Sequence, residues 1–405
     1  MRAEEVTVPG GFSTAGLHRL HDVLARHVDD GSVPGLVLAA RRGDEVHVEV
    51  MGSMAVGGRP MERDARFRIS SVTKPITAVA AMSLVEDCVL RLDDPVDDLL
   101  PELAAPRVLR RLDGPVEDTV PAVRSVTLRD LLTFRMGTGM LFGDPDEYPV
   151  LAALAASGIP TGPPAPDGDP PPDEWIARLA GVPLMHQPGT VWQYHTGAAV
   201  LGVLLARAAG RSFDRVVAER VTDPIGMADT AFHVAADRLD RFTTSYVTDP
   251  GTGSLLPYDE PDGQWSHPPA FADGGAGLVS TADDLVAFGT ALLRGGSLPG
   301  GERVLSRPTV ELMTTDQLTD EQRAGSGLVL DGLGWGFGMS VVRERTAVGP
   351  GPGSFGWDGG LGTTFVVDPA EDLVLVLMTQ AAWASPSPPA VARDARTATY
   401  AALAD

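Results

Sequence analysis

With 405 residues, the sequence is too long for a small single core and suits one large domain with an insertion, or two domains. Its formal net charge of -22 argues against nucleic acid or an anionic membrane surface as a partner, because both would repel it. The first residues lack the apolar core of a signal peptide, and no run of about 18 apolar residues follows. The sequence therefore predicts a soluble cytoplasmic protein.

Cysteine usage points to the same compartment. Cys88 is the only cysteine, so an internal disulfide is excluded. Its spacing after Ile76, Ala80 and Leu84 places it on the apolar face of a predicted helix. We therefore expect it to be a buried small hydrophobic residue and not a reactive thiol.

The first elements predicted are a helix and a hairpin. Leucine and valine at helical spacing predict an amphipathic helix from Ser13 to about Asp30, with Gly31 and Pro34 beyond it. Two β-branched runs, 35–40 and 45–52, surround a Gly-Asp turn. These runs predict a β-hairpin.

The next stretch, 67–88, contains Lys74, the only lysine of the sequence. Every other basic residue counted with it is arginine, which cannot give up its proton in a protein, whereas a partly desolvated ammonium can. Ser71 lies three residues earlier, so a helix opening at Ser71 would bring both side chains to one face. The motif thus pairs a nucleophile with a possible base. Taken alone, it also fits a helix cap beside a surface lysine.

The middle of the chain is predicted to be mostly helical. Helical patterns occur at 126–132, 175–179 and 198–209. The proline-rich segment 159–172 cannot sustain a helix or a central strand, so it is predicted to be a stiff exposed loop. A loop of this length is either a lid or a decorated insertion, and the sequence leaves both open.

A second candidate site residue, Tyr194, lies in the segment P-G-T-V-W-Q-Y-H-T-G, after a Pro-Gly turn and before a helix. A phenol near an ammonium can lose its proton below its usual pKa of about 10 and act as a base toward a serine. A packed amphipathic tyrosine is the alternative. His195 suggests a Ser-His pair, but neighbours in sequence need not be neighbours in space, and no G-x-S-x-G motif is present.

Past Asp273 the pattern turns to strands. A glycine turn precedes a helix capped by Ser280 or Thr281. Strands are predicted at 333–342, 363–367 and 373–378, the last one central because it is almost continuously apolar. A final helix, 389–404, is predicted to cover the sheet beside the N-terminal helix.

No cofactor or metal is predicted. The glycine-rich run 348–363 fits tight turns or backbone N–H groups close to an oxyanion. It lacks G-K-[ST] and leads into a strand, which argues against a phosphate loop. His18, His21 and His27 share the first helix, but no H-E-x-x-H motif or third ligand cluster accompanies them.

Three separated motifs share an order known from one superfamily. They are S-V-T-K (Ser71–Lys74), Y-H-T (Tyr194–Thr196) and W-D-G (Trp357–Gly359). In this order they resemble the motifs of the serine β-lactamase and penicillin-binding-protein superfamily, and their flanks resemble its class C and family VIII esterase branch. Segments such as L-R-L-D-D-P-V and D-P-I-G-M-A-D-T extend the resemblance over most of the chain, from Ser13 onward.

The resemblance implies a role for individual residues. Ser71 would be the nucleophile that forms an acyl-enzyme, with Lys74 and Tyr194 sharing its proton. Which of these two is the resting base stays open. The backbone N–H groups of Ser71 and Gly360 would form the oxyanion hole.

The resemblance also implies the architecture, an α/β (α+β) fold with an antiparallel β-sheet flanked by helices and an inserted, mostly helical region. Residues 12–66 and 273–405 would form the sheet domain. Residues 67–272 would carry the nucleophile helix and the tyrosine loop.

Departures from the usual motifs indicate the substrate. Thr196 replaces an asparagine that can donate to a substrate amide. Trp357 replaces a lysine or histidine, and Asp358 is anionic, so a substrate carboxylate would meet no cation from this motif. An arginine from a loop would restore that charge. We therefore expect hydrolysis of uncharged carboxylic esters, with Trp357, Asp358, Gly359, Thr196 and His195 contacting a small-molecule ester or amide substrate.

Two alternatives remain at this stage. The first is another enzyme of the same fold: a β-lactamase, a D-amino-acid peptidase or an acyltransferase. The second is a non-catalytic binding or sensor protein that keeps the scaffold. The sequence gives no indication of the oligomeric state.

Overall fold

The computed structural model describes residues 11–159, 162–323 and 326–404. Two of the sequence-based predictions concern residues outside these ranges. The signal-peptide prediction refers to residues 1–10, and the proline-rich segment includes residues 160 and 161. The strands of this structure are β1 (Gly35–Arg42), β2 (Glu45–Gly52), β3 (Phe67–Arg68), β4 (Arg107–Leu109), β5 (Thr119–Pro121), β6 (Ser245–Thr248), β7 (Leu255–Asp259), β8 (Val279–Ser280), β9 (Gly334–Trp335), β10 (Ser340–Val341), β11 (Phe355–Gly359), β12 (Thr363–Asp368) and β13 (Leu373–Thr379). The helices are α1 (Thr14–Asp29), α2 (Thr73–Glu86), α3 (Leu128–Leu132), α4 (Pro149–Ala156), α5 (Pro172–Ala180), α6 (Thr196–Ala209), α7 (Phe213–Val217), α8 (Asp223–Ile225), α9 (Ala282–Leu293), α10 (Arg307–Met313), α11 (Asp320–Arg323), α12 (Gly327–Leu330) and α13 (Ala390–Tyr400).

A seven-stranded sheet, in the order β2-β1-β13-β12-β11-β10-β9, organises these elements. Each neighbouring pair is antiparallel. Strand β13 is buried along its whole length, and it lies between β1 and β12, as its apolar sequence predicts. In the register of β1 and β13, Leu36 pairs with Thr379, so strands from the two ends of the chain lie side by side in the sheet.

Successive side chains of a strand point to opposite faces of the sheet. Both faces of this sheet carry apolar side chains, and helices cover each of them. Leu36 and Leu38 of β1 join the apolar cluster under α1 and α13, whereas Val37 and Ala39 join the larger cluster that contains α2 and α9. The two terminal helices pack side by side, as expected, and Ser13 caps α1 by accepting a hydrogen bond from the Gly16 N–H. The predicted antiparallel sheet flanked by helices is confirmed.

Helix α2 runs through the interior, and its residues 73–84 are all buried. It ends earlier than predicted: Glu86 is its last residue, and Cys88 follows in a left-handed conformation (φ 58°), exposed to solvent. The prediction that Cys88 lies buried on a helix face is therefore wrong. The apolar spacing continues past the point where the helix stops, so periodicity alone could not show the end.

A second correction concerns the segment 333–342, which was predicted to be one strand. It forms two short antiparallel strands, β9 and β10, in which Trp335 pairs with Ser340. Gly338, in a left-handed conformation (φ 74°), reverses the chain between them. The predicted division of the chain into a sheet domain (12–66 and 273–405) and a mostly helical region (67–272) stays a prediction. All strands of the large sheet lie in the ranges of the sheet domain, and helices α2 to α8 lie in 67–272. No helix in the described ranges is both long and apolar enough to span a bilayer.

Candidate active site

The turn before α2 fixes the position of Ser71. Ser70 has a left-handed backbone (φ 45°), which is strained for a residue with a side chain, and it opens a short 3-10 turn that runs directly into α2. Lys74 therefore lies one helical turn after Ser71, and its Nζ donates a hydrogen bond of 2.9 Å to the Ser71 Oγ. Both residues are buried, with 8% and 1% of their surface exposed.

The groups in direct contact with the Lys74 Nζ are neutral, and the amine is buried. Its Nζ donates to the carbonyl oxygen of Gly275 at 2.7 Å and lies 4.7 Å from the centroid of the Tyr194 ring. Burial lowers the pKa of Lys74 to about 7, and the negative charge of Asp273 opposes this only in part. A large fraction of the amine is therefore neutral near neutral pH.

Tyr194 faces Ser71 from the loop before α6. Its hydroxyl accepts a hydrogen bond of 2.6 Å from the Trp357 Nε1, and the Ser71 hydroxyl is a second donor to it. Burial raises the pKa of Tyr194 above its ordinary value, and these two hydrogen bonds offset the effect only partly. The expectation that a nearby ammonium lowers this pKa is thus reversed, because desolvation outweighs the two hydrogen bonds. The phenol therefore keeps its proton.

His195 contacts Lys74 and not the nucleophile. Its backbone is left-handed (φ 82°), and its Nδ1 lies 3.3 Å from the Lys74 Nζ. Burial, with the charge of Lys74 in addition, lowers the pKa of His195 to about 3. The ring is therefore neutral, and its Nδ1 can accept a hydrogen bond from the Lys74 amine. No hydrogen bond joins it to Ser71 among the described residues, so the geometry gives no Ser-His pair.

The third motif lies on β11, which passes close to the turn at Ser71. A Cβ atom on Gly359 would lie 2.2 Å from the carbonyl oxygen of Ile69, so only glycine allows this approach. Gly359 thus backs onto the turn instead of facing the cleft. Gly360, the next residue, lines the cleft together with Ser71.

Asp358 has a cationic partner that sequence analysis did not identify. The Arg396 Nη2 of α13 donates to both carboxylate oxygens of Asp358, at 2.5 and 2.6 Å. Both side chains are largely buried, with 20% and 17% exposed, and both line the cleft. The arginine near the third motif therefore comes from a helix and not a loop, and its charge is already balanced.

A cluster of aromatic rings holds Tyr194 and Trp357. Trp335 lies at its centre, 4.9 Å from Trp357 in an edge-to-face arrangement (88°), and 4.7 Å from Phe134. Trp192 stacks on Tyr194 at 5.8 Å. These contacts fix the direction of the Trp357 N–H. Sequence analysis did not identify Phe134 or Trp335 as part of the site, because no motif contains them.

A cleft of about 1140 Å³ opens above Ser71. Seven of the predicted site residues line it: Ser71, Tyr194, His195, Thr196, Trp357, Asp358 and Gly360. Apolar side chains form much of its wall, namely Met140, Phe142, Leu151, Leu154, Leu328 and Val329. Residues 162–165 and Asp169 line it too, so the proline-rich loop borders the cleft.

Lys74 also contacts the glycine turn after Asp273. Sequence analysis identified this turn only as the segment that precedes a helix. Gly275 supplies the carbonyl oxygen that Lys74 binds, and the Gly275 N–H donates to the Asp273 Oδ1 at 2.7 Å. These residues are about two hundred positions from Lys74, so only the fold brings them together. Across the described ranges, no group of three or more His, Cys, Asp or Glu side chains could hold a metal ion.

Comparisons with known proteins agree with this geometry. The model of the family described as Beta-lactamase matches residues 20–400. Protein Rv1367c of Mycobacterium tuberculosis is 40% identical over 331 residues, covering 80% of this chain and 79% of the relative. Esterase EstB of Burkholderia gladioli is 33% identical over 378 residues, covering 88% of each. The solved structure described as EstCE1, a hydrolase with promiscuous acyltransferase activity, matches with a TM-score of 0.78 at 25% identity, covering 95% of this chain and 98% of the other.

Proposed function

The chain belongs to the beta-lactamase family, and on that premise we propose that it is a serine hydrolase that cleaves carboxylic esters through an acyl-enzyme on Ser71. The observation that carries this proposal is the network around Ser71. Its hydroxyl contacts an amine with a pKa of about 7 and a phenol that stays protonated. A base and an acid thus face the same nucleophile.

In the first half of the reaction, neutral Lys74 accepts the Ser71 proton while the Oγ attacks the ester carbonyl carbon. The backbone N–H groups of Ser71 and Gly360 donate to the oxyanion that forms. Collapse of the tetrahedral intermediate breaks the bond to the alcohol oxygen. The proton held by Lys74 reaches this leaving oxygen, directly or through the hydroxyl of Tyr194, and the alcohol departs.

In the second half, water attacks the acyl carbon and gives its proton to Lys74. The tetrahedral intermediate then releases the carboxylic acid, and Lys74 returns the proton to the Ser71 Oγ. The indole N–H of Trp357 orients the Tyr194 hydroxyl, so that this hydroxyl can pass a proton between Lys74 and the leaving oxygen. His195 and the Gly275 carbonyl hold the Lys74 amine in place. In the reaction proposed here, Lys74 is the resting base.

Uncharged esters are favoured over β-lactams by the charge of the third motif. A penicillin carries a carboxylate, and a site that recognises it needs a cation whose charge is not already balanced by a neighbouring carboxylate. Here the Arg396 Nη2 already binds both oxygens of Asp358. The similarity to esterase EstB supports the same preference.

Two measurements test the proposal. A fluorophosphonate probe should label the folded protein at Ser71, and Ser71→Ala should abolish labelling while leaving the melting temperature within a few degrees. Turnover of p-nitrophenyl butyrate should exceed turnover of nitrocefin. An unlabelled Ser71 would support the non-catalytic alternative, whereas clear nitrocefin turnover without ester cleavage would support a β-lactamase.

Acyl transfer is a second candidate, because the cleft is large and much of its wall is apolar. Such a cleft can hold an alcohol in place of water beside the acyl-enzyme. The similarity to EstCE1, whose description includes promiscuous acyltransferase activity, points in the same direction. Adding an alcohol such as butanol to the ester assay tests it: formation of the new ester at the expense of free acid would show transfer.

A further inference from the structure

The charged side chains of the cleft are mostly acidic. Five acidic residues line it, namely Asp169, Asp273, Asp331, Glu344 and Asp358. Among the described residues that line it, Arg396 is the only one with a permanent positive charge. A substrate that enters the cleft therefore meets an excess of negative charge.

Two of these acids already have partners. Asp358 forms the ion pair with Arg396. Asp273 accepts a hydrogen bond from the Gly275 N–H and is close enough to Lys74 to oppose the fall in its pKa. Asp331 and Glu344 lie at the exposed rim, where water stabilises their charge.

Asp169 differs from the other four. It is half-buried, it belongs to the proline-rich loop, and it makes no hydrogen bond or ion pair with any residue in the described ranges. Burial, together with repulsion from Asp273, raises the pKa of Asp169 to about 7. A carboxylate held in this way gains most from a cation brought by another molecule.

Aromatic rings lie in the same cleft. Trp175 and Phe271 are stacked, with ring centroids 5.0 Å apart and planes 12° apart, and both line the cleft. Trp175 lies in the first turn of α5, the helix that follows Asp169, and Phe271 lies two residues before Asp273. An apolar wall that includes aromatic rings, in a cleft that also holds a carboxylate, suits alkylated ammonium groups, which present apolar surface and positive charge together.

We propose that the cleft takes carboxylic esters that carry a substituted ammonium group, and that Asp169 contacts this group. The inference rests on the proposed ester hydrolysis and specifies its substrate class. Apolar walls accommodate the rest of the substrate, while Asp358 balances the charge of Arg396, which would otherwise attract an anionic substrate. The ammonium can belong to the acyl part or to the alcohol part of the ester, and the experiment separates these sources.

The test uses two pairs of esters that differ only in charge. Butyrylcholine and 3,3-dimethylbutyl butyrate carry the difference in the alcohol part. The p-nitrophenyl esters of 6-(trimethylammonio)hexanoate and 7,7-dimethyloctanoate carry it in the acyl part. We expect kcat/KM to favour the cationic member by about tenfold in at least one pair, since a charged contact in a partly desolvated site is worth roughly that factor.

Three variants identify the residue responsible. Asp169→Asn should bring the ratio of cationic to neutral kcat/KM close to one. Asp167→Asn is the matched control, because Asp167 lies on the same loop but pairs with His267 and does not line the cleft, so the ratio should stay high. Glu344→Gln removes a charge from the rim and should lower the ratio by less than twofold. A melting curve of each variant checks that it is folded.

A second measurement does not depend on any variant. Tetramethylammonium should inhibit hydrolysis of the neutral ester competitively in the unmodified protein, and its neutral carbon analogue should not. Equal kcat/KM within both pairs, an unchanged ratio in Asp169→Asn, or an equal loss in Glu344→Gln would overturn the proposal. Failure to cleave any of the four esters would instead count against ester hydrolysis itself.

Discussion

Replacing Lys74 by arginine keeps a positive charge beside Ser71 but removes the group that accepts its proton, because a guanidinium stays protonated in proteins. With a pKa of about 7, about three quarters of the Lys74 side chains are neutral at about pH 7.5. At the ordinary value of 10.5 only about one in a thousand would be. Loss of a positioned general base typically costs about 10²- to 10⁴-fold, and we expect Lys74→Arg to lose at least about 10³-fold in kcat/KM.

The assay follows kcat/KM for p-nitrophenyl butyrate as a function of pH. Lys74 must be neutral to act, so activity is lost as the pH falls through its pKa. In the unmodified protein kcat/KM should rise about tenfold per pH unit below about pH 7 and level off above it. Lys74→Ala, assayed with and without added methylamine, is the matched control: partial recovery by the free amine would show that the missing group is a base.

Two results would refute this reasoning. Near-normal turnover by Lys74→Arg would show that charge, and not proton transfer, is what the site requires. A rate that stays flat between about pH 5.5 and 8.5 would show that no group with a pKa near 7 controls the reaction. Ser71→Ala gives the background rate against which both are judged.

Three other substitutions test separate parts of the site. Tyr194→Phe should lower kcat about 10²- to 10³-fold with little change in KM, because it removes a proton donor and keeps the ring. Gly359→Ala should destabilise the protein by about 1–3 kcal/mol in denaturant unfolding, since its Cβ would lie 2.2 Å from the Ile69 oxygen. Asp358→Ser should free Arg396 and raise kcat/KM for nitrocefin about tenfold relative to p-nitrophenyl butyrate.

Each of these has a matched control. Trp357→Phe removes the N–H donor to Tyr194 but keeps the phenol, so its loss should be smaller than that of Tyr194→Phe. Gly349→Ala adds a Cβ with no atom within 4 Å and should leave stability unchanged. Asp358→Ser combined with Arg396→Gln should not gain nitrocefin turnover. A larger loss in Trp357→Phe than in Tyr194→Phe, or a gain of nitrocefin turnover in the double variant, would contradict the mechanism given. Equal stability of Gly359→Ala and Gly349→Ala would contradict the close approach of Gly359 to Ile69.

The sheet and its covering helices could be predicted because local patterns and motif order agreed. The continuous apolar run of β13 predicted a central strand, and the terminal amphipathic helices predicted one covered face. Cys88 and the 333–342 segment show where patterns fail. An apolar period does not show that a helix stops at Glu86, and alternation does not show that a chain reverses at Gly338.

The site could be predicted only where its chemistry lies in short motifs. Ser71 and Lys74 are three residues apart, and their contact follows from helix geometry. By contrast, the partners Gly275 and Arg396 meet Lys74 and Asp358 through tertiary packing. The direction of the Tyr194 pKa was also inaccessible, because it depends on how deeply the fold buries the phenol.

The position of β13 between β1 and β12 has a consequence for synthesis on the ribosome. Leu36 pairs with Thr379, so β1 waits for its inner partner until more than three hundred further residues have been translated. Pairings this distant in sequence are slow to form, and until then the inner edge of the β1–β2 hairpin is open to other chains. We therefore expect the sheet to complete only after β13 is released, and slow translation or chaperone binding before that point to raise the yield of folded enzyme.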